Sequence, residues 1–131
     1  MLIGQSLTGL LATEVLLKKP TLFNRYIIIS PSLWRNNGSL LEQPTNPLQQ
    51  ATLSATNIYI GVGKEGLTPG DTPRVMEVDA NLLAEKIMKI KSKRIQLHSD
   101  CLPQEEDATI THQAIFNALR FLYPVSSCRD I

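Results

Sequence analysis

The first nine residues, Met1-Leu2-Ile3-Gly4-Gln5-Ser6-Leu7-Thr8-Gly9, constrain the fold more than any other stretch. Met1 to Ile3 read as the end of a buried strand. Gly4-Gln5-Ser6 turns the chain, and an apolar helical run begins at Leu7 with no connecting loop. So abrupt a passage from strand to helix needs backbone segments to approach closely, which glycine permits. A serine in such a turn is held in a strained conformation with its hydroxyl above the sheet, as a nucleophilic serine is presented. The same residues also read as an ordinary strand-to-helix turn with a serine N-cap. The usual nucleophile pattern is Gly-x-Ser-x-Gly. Here its fifth position is Thr8, and the glycine follows at Gly9.

The rest of the chain alternates strand and helix signals. Leu7 to Lys18 predicts a helix that is apolar on nearly every side, closed by Lys18, Lys19 and Pro20. Tyr26 to Ile29 is continuous and β-branched, as in a parallel strand covered on both faces. Pro44 and Pro47 limit residues 39–56 to short helical turns. Asn57 to Val62 is a further strand. A helix from about Pro73 to Lys91 carries Met76, Ala80, Leu83, Ile87 and Ile90 on one stripe. Arg94 to His98 reads as a short strand and residues 99–108 as a polar, acidic connection. Thr109 to Tyr123 is the last helix, with Ile115, Ala118, Leu119 and Leu122 facing inward. The fold class is therefore α/β, a parallel sheet of about four strands with flanking helices.

Thirteen basic against twelve acidic residues give a net charge of +1, with no basic patch for nucleic acid. No apolar run approaches the roughly 18 residues a membrane span needs. Cys101 and Cys128 are too few and too separated for a metal site or a disulfide framework; they read as a single disulfide or two free thiols, and two free thiols are expected. Gly61-Val62-Gly63-Lys64-Glu65-Gly66 matches a dinucleotide-binding fingerprint letter for letter. That fingerprint needs a helix starting inside the loop, and Pro69, Gly70 and Pro73 prevent one. No cofactor is implied.

Ser6-Leu7-Thr8-Gly9-Leu10-Leu11 and the later run Lys19-Pro20-Thr21-Leu22-Phe23 through Ser30-Pro31-Ser32-Leu33-Trp34 resemble the esterase family of α/β-hydrolases that includes esterase D-like and siderophore-esterase-like enzymes. In that family the elbow helix is followed by a Pro-x-x-Phe segment, a short strand and a Ser-Pro-Ser-x-Trp loop. The resemblance implies a partial α/β-hydrolase fold. Residues 1–124 would be the C-terminal portion of a single domain and residues 125–131 a frayed tail. It also implies that Met1 to Gly4 belongs to a central strand, here lacking a neighbour on one side, so that self-association through the exposed strand edge is expected.

The implied reaction is carboxylic-ester hydrolysis through an acyl-serine, on a small-molecule ester. It needs a nucleophile, a base and an acid that orients the base, in the chain order Ser, acid, His. Ser6 takes the first role. Glu65 stands where the acid belongs, just after the strand ending at Val62, and the resemblance sets Val62-Gly63-Lys64-Glu65 on the family's Val-Gly-x-Glu stretch. Glu65 also reads as a solvated loop carboxylate. His98 alternates with apolar Ile95 and Leu97 and reads as a strand residue. His112, at the start of the last helix, is the candidate base. Aligned on Asp107-Ala108-Thr109, however, the family's catalytic His position holds Asp107. The N–H of Leu7 is the expected oxyanion donor. Trp34 would line the substrate pocket or pack on the elbow helix. A chain of this kind would have reduced activity or none alone. The other readings are an inactive hydrolase-like binding module and a non-functional gene fragment.

Overall fold

The computed structural model describes residues 1–50, 54–69, 72 and 74–125. Strand β1 (Leu2–Gln5) runs into helix α1 (Leu7–Lys18), followed by β2 (Arg25–Ile29). Two 3₁₀ segments, Arg35–Glu42 and Asn46–Gln49, lead to β3 (Thr56–Gly63). Helix α2 (Met76–Met88), strand β4 (Ile95–Leu102) and helix α3 (Ile110–Leu122) complete the order. The four strands form one parallel sheet in the order β1-β2-β3-β4.

Strand parity decides where each helix packs. Tyr26, Ile28, Ile58 and Ile60 point to one face, where Leu16 and Leu17 of α1 and Leu83 and Ile87 of α2 cover them. Ile27, Ile29 and Tyr59 point to the other, beneath Ile110, Ala114, Ala118 and Leu122 of α3. The small Ala114 and Ala118 let α3 lie close to the sheet. Tyr26 to Ile29 are all buried because β2 is covered on both sides. Each such side chain contributes about 1.5–3 kcal/mol on burial.

Several expectations are corrected. Strand β4 extends to Leu102 instead of stopping at His98, because its backbone pairs with β3 as far as Gly63. Polar Ser99 and Asp100 are tolerated there because β4 is an edge with shallow burial. Helix α2 begins at Met76; Pro73 lies outside the described residues. On α3, Leu119 is 36% exposed, and Ile110 and Ala114 take the inward positions with Ala118 and Leu122. Helix α1 is not covered all round, since Leu7 and Leu11 are exposed. Among the described strands β1 is an edge, the exposed strand edge expected above, and Ile3 is 46% exposed. Cys101 is a free, exposed thiol. Cys128, with residues 126–131 of the expected tail, lies outside the described residues. No described helix is long and apolar enough to cross a membrane, and the described residues hold no metal-binding cluster.

Candidate active site

Parallel strands deliver their C-terminal ends to one rim of the sheet, where α/β proteins place their sites. Here that rim brings together Ser6 after β1, Ser30 after β2, Glu65 after β3 and Asp107 after β4.

Ser6 sits at the junction of β1 and α1 with φ 53° and ψ −115°, a conformation that costs an L-residue energy. Its backbone is tied down on both sides. Its N–H donates to the Ile29 carbonyl at 3.0 Å. Its carbonyl accepts from Leu10, opening the helix, and from Ser32 in the Ser-Pro-Ser loop, each at 3.0 Å. The side chain makes no capping bond to α1. The hydroxyl instead donates to the Asp107 carboxylate.

The glycines around the turn have distinct duties. A Cβ on Gly4 would stand 2.1 Å from the Thr8 carbonyl oxygen, so only glycine fits beneath the first helical turn. A Cβ on Gly9 would meet the Pro31 Cα at 3.0 Å and the Ile29 carbonyl oxygen at 3.1 Å. Thr8, between them, is exposed. Its hydroxyl accepts from the Gln5 N–H at 2.9 Å and donates to the Gln5 carbonyl at 2.8 Å. The departure from the five-residue pattern thus falls on a solvent-facing position and adds a brace to the turn.

Glu65 accepts a hydrogen bond from the buried Ser30 hydroxyl. Burial chiefly, and then the nearby Asp107 charge, push its carboxyl above the ordinary 4.5, while the Ser30 bond pulls it down. The Glu65 loop is fixed by Glu77, whose Oε1 accepts from the Glu65 and Gly66 N–H groups at 2.5 and 2.8 Å. Glu65 and Asp107 share the wall of an open cleft of about 310 Å³ with Lys64, Glu106 and Ala108.

The other sequence candidates are placed as follows. His112 is an exposed residue in the first turn of α3, and the hydrogen bonds of Ser6 and Glu65 do not include it. The partner of Ser6 is Asp107, the position where the resemblance sets the catalytic His. His98 lies on β4, stacked between the Tyr59 and Phe121 rings at 5.7 and 5.4 Å. The N–H of Leu7 is at the first position of α1, where helix geometry leaves it without an intrahelical partner. Trp34 is half-buried just before the first 3₁₀ segment, with the Arg35 guanidinium 5.5 Å from its ring centroid. Gln5, Ser30, Glu77 and Thr111 join the site without having been singled out. Only Ser30 carried a signal, as the first residue of the Ser-Pro-Ser loop.

No protein-family model matches the chain, and a search of curated proteins finds no match. Solved structures do match. BES protein from Bacillus cereus is 27% identical with a TM-score of 0.79, over 94% of this chain and 44% of that one. An IroE-like serine hydrolase from Shewanella oneidensis is 22% identical with a TM-score of 0.75, over 92% and 39%. The siderophore hydrolase EstA from Aspergillus nidulans is 21% identical with a TM-score of 0.72, over 95% and 47%. The last two likenesses speak for the fold alone. Together with the strand-to-helix serine turn, these likenesses give the chain the α/β-hydrolase fold of those structures, and it spans less than half the length of each.

Proposed function

We propose that the chain is a serine carboxylic-ester hydrolase unit whose own turnover is slow because a carboxylate stands in the place of the base. The observation that carries this reading is the hydrogen bond from the Ser6 hydroxyl to Asp107. In the proposed reaction the Ser6 oxygen attacks the ester carbonyl and its proton passes to Asp107. The Leu7 N–H faces the oxyanion that forms. Collapse expels the alcohol with that proton and leaves an acyl-serine, which water then cleaves to the acid and free serine. A carboxylate side chain ordinarily titrates near pH 4 and an imidazole near 6.5, so a carboxylate is the weaker proton acceptor at neutral pH. Glu65, facing the same cleft, would orient and charge-balance an imidazole. Facing Asp107 it only repels.

The test is release of nitrophenolate from a short-chain p-nitrophenyl ester, with Ser6→Ala as the blank. A slow rate that vanishes in Ser6→Ala is expected. Equal rates in the two proteins would leave the inactive binding module as the better reading.

The same reading extends to the sheet edge. Among the described strands β1 pairs only with β2, and Ile3 and Leu7 lie exposed on or beside it. An unpaired apolar edge is a template for a second copy. Light scattering that rises with concentration is expected, and a monomer at every concentration would exclude it.

A further inference from the structure

We propose that Gln5 is a positioning residue, a clasp that holds the loop between β4 and α3 against the elbow and so sets Asp107 on Ser6. This rests on the reading of Ser6 and Asp107 given above. Gln5 ends β1, immediately before the serine. Its side-chain Nε2 donates to the Asp107 carbonyl at 2.8 Å and lies 3.5 Å from Asp107 Oδ1. Its Oε1 accepts from the Thr111 hydroxyl at 2.6 Å. One planar amide therefore serves a carbonyl at one end and a hydroxyl at the other, across 102 and 106 residues of sequence. Glutamine suits the task because a single side chain supplies both donor and acceptor.

Its geometry is fixed at the root. The two bonds of Thr8 to the Gln5 N–H and carbonyl stop the last residue of β1 from pivoting. Thr8, the letter that breaks the usual pattern, is thus the brace behind the clasp. The loop has a second long-range anchor, the Lys64 N–H donating to the Glu105 carbonyl at 2.8 Å. The bonds from Glu106 to Thr109 and Ile110 are local and tie the loop only to itself and to the start of α3. Anchoring at Glu105 alone fixes the loop to β3. The step from there to Ser6 is made by Gln5 and by the Ser6 hydroxyl itself, and a single exposed hydrogen bond is too weak to hold a loop in one place.

Hydrogen exchange measured by mass spectrometry on Gln5→Ala and Gln5→Glu tests the clasp. In Gln5→Ala, exchange of the amides from Asp107 to Thr111 should quicken about 10-fold or more relative to wild type, with β2 and β3 unchanged. In Gln5→Glu the result should depend on pH. At about pH 8 a carboxylate would face the Asp107 oxygens and protection is lost. Toward about pH 4 the protonated acid again offers an O–H, and protection returns toward that of wild type measured at the same pH. A side chain that merely fills space would show no such rescue. Unchanged exchange in Gln5→Ala, or a Gln5→Glu deficit independent of pH, would overturn the proposal. The readout needs no turnover. An unreactive Ser6 would therefore sink the ester-hydrolase reading while exchange still decides the clasp.

Discussion

Two serines on the same rim invite comparison. Ser6 and Ser30 each follow a strand, each has positive φ (53° and 43°), and each donates its hydroxyl to a carboxylate. Ser30 is fully buried, its N–H held by the Gly61 carbonyl at 2.8 Å, and no helix starts behind it. Ser6 is half-exposed, faces a cleft residue and has the N-terminus of a twelve-residue helix at its back. Backbone strain is therefore common to both, and does not by itself mark a nucleophile. What separates them is access and the helix start, which in the proposed reaction would offer an N–H to the oxyanion. Ser30 holds Glu65, and Ser6 is the proposed nucleophile.

The largest effect should come from restoring a base at the exposed serine. Asp107→His is expected to raise kcat/KM on a p-nitrophenyl ester by about 10²-fold or more, the range general-base catalysis supplies. The imidazole would stand between Ser6 and Glu65. A folded Asp107→His protein with no gain would break the assignment of Asp107 to the base position. Removing the hydroxyls should sort the serines in the opposite order by stability. Ser30→Ala leaves a partly buried carboxylate without its donor and should cost about 1–3 kcal/mol. Ser6→Ala, whose side chain caps nothing and whose bond is exposed, should stay within about 0.5 kcal/mol. Urea midpoints measure both, and equal losses would erase the distinction.

The smallest effect concerns pH. The Glu65 carboxyl is raised above its ordinary 4.5, mainly by burial, so the folded state holds its proton to higher pH than the unfolded chain does. Its contribution to stability is present below 4.5 and is lost as pH rises through the folded value. Glu65→Gln carries no such penalty. The variant should gain on wild type as pH rises from acid to neutral. Denaturation midpoints at several pH values would show this, and a constant difference would contradict it.

Much of the fold was legible because it depends on local pattern. The apolar run of β2, the stripe of α2 and the glycines at 4 and 9 each act within a few residues of themselves. The extension of β4 was not legible, since Ser99 and Asp100 are unremarkable in a loop and become strand only by pairing with β3. The site divides the same way. Ser6 could be read from its turn and Glu65 from the strand before it. Gln5, Thr111 and Glu77 could not, because their roles arise from contacts that no spacing in the sequence encodes. The hydrogen bond from Ser6 to Asp107 joins positions 101 residues apart, and only the departure from a His at that point drew notice to Asp107.

The central claim is that Ser6, and not its strained neighbour, is the nucleophile of this chain. Treating the native protein with a fluorophosphonate and mapping the adduct by peptide mass spectrometry tests it most directly. The account predicts a single slow adduct on Ser6, absent from Ser6→Ala, with Ser30 unlabelled. An adduct on Ser30, or no adduct on any serine of a demonstrably folded chain, would contradict it.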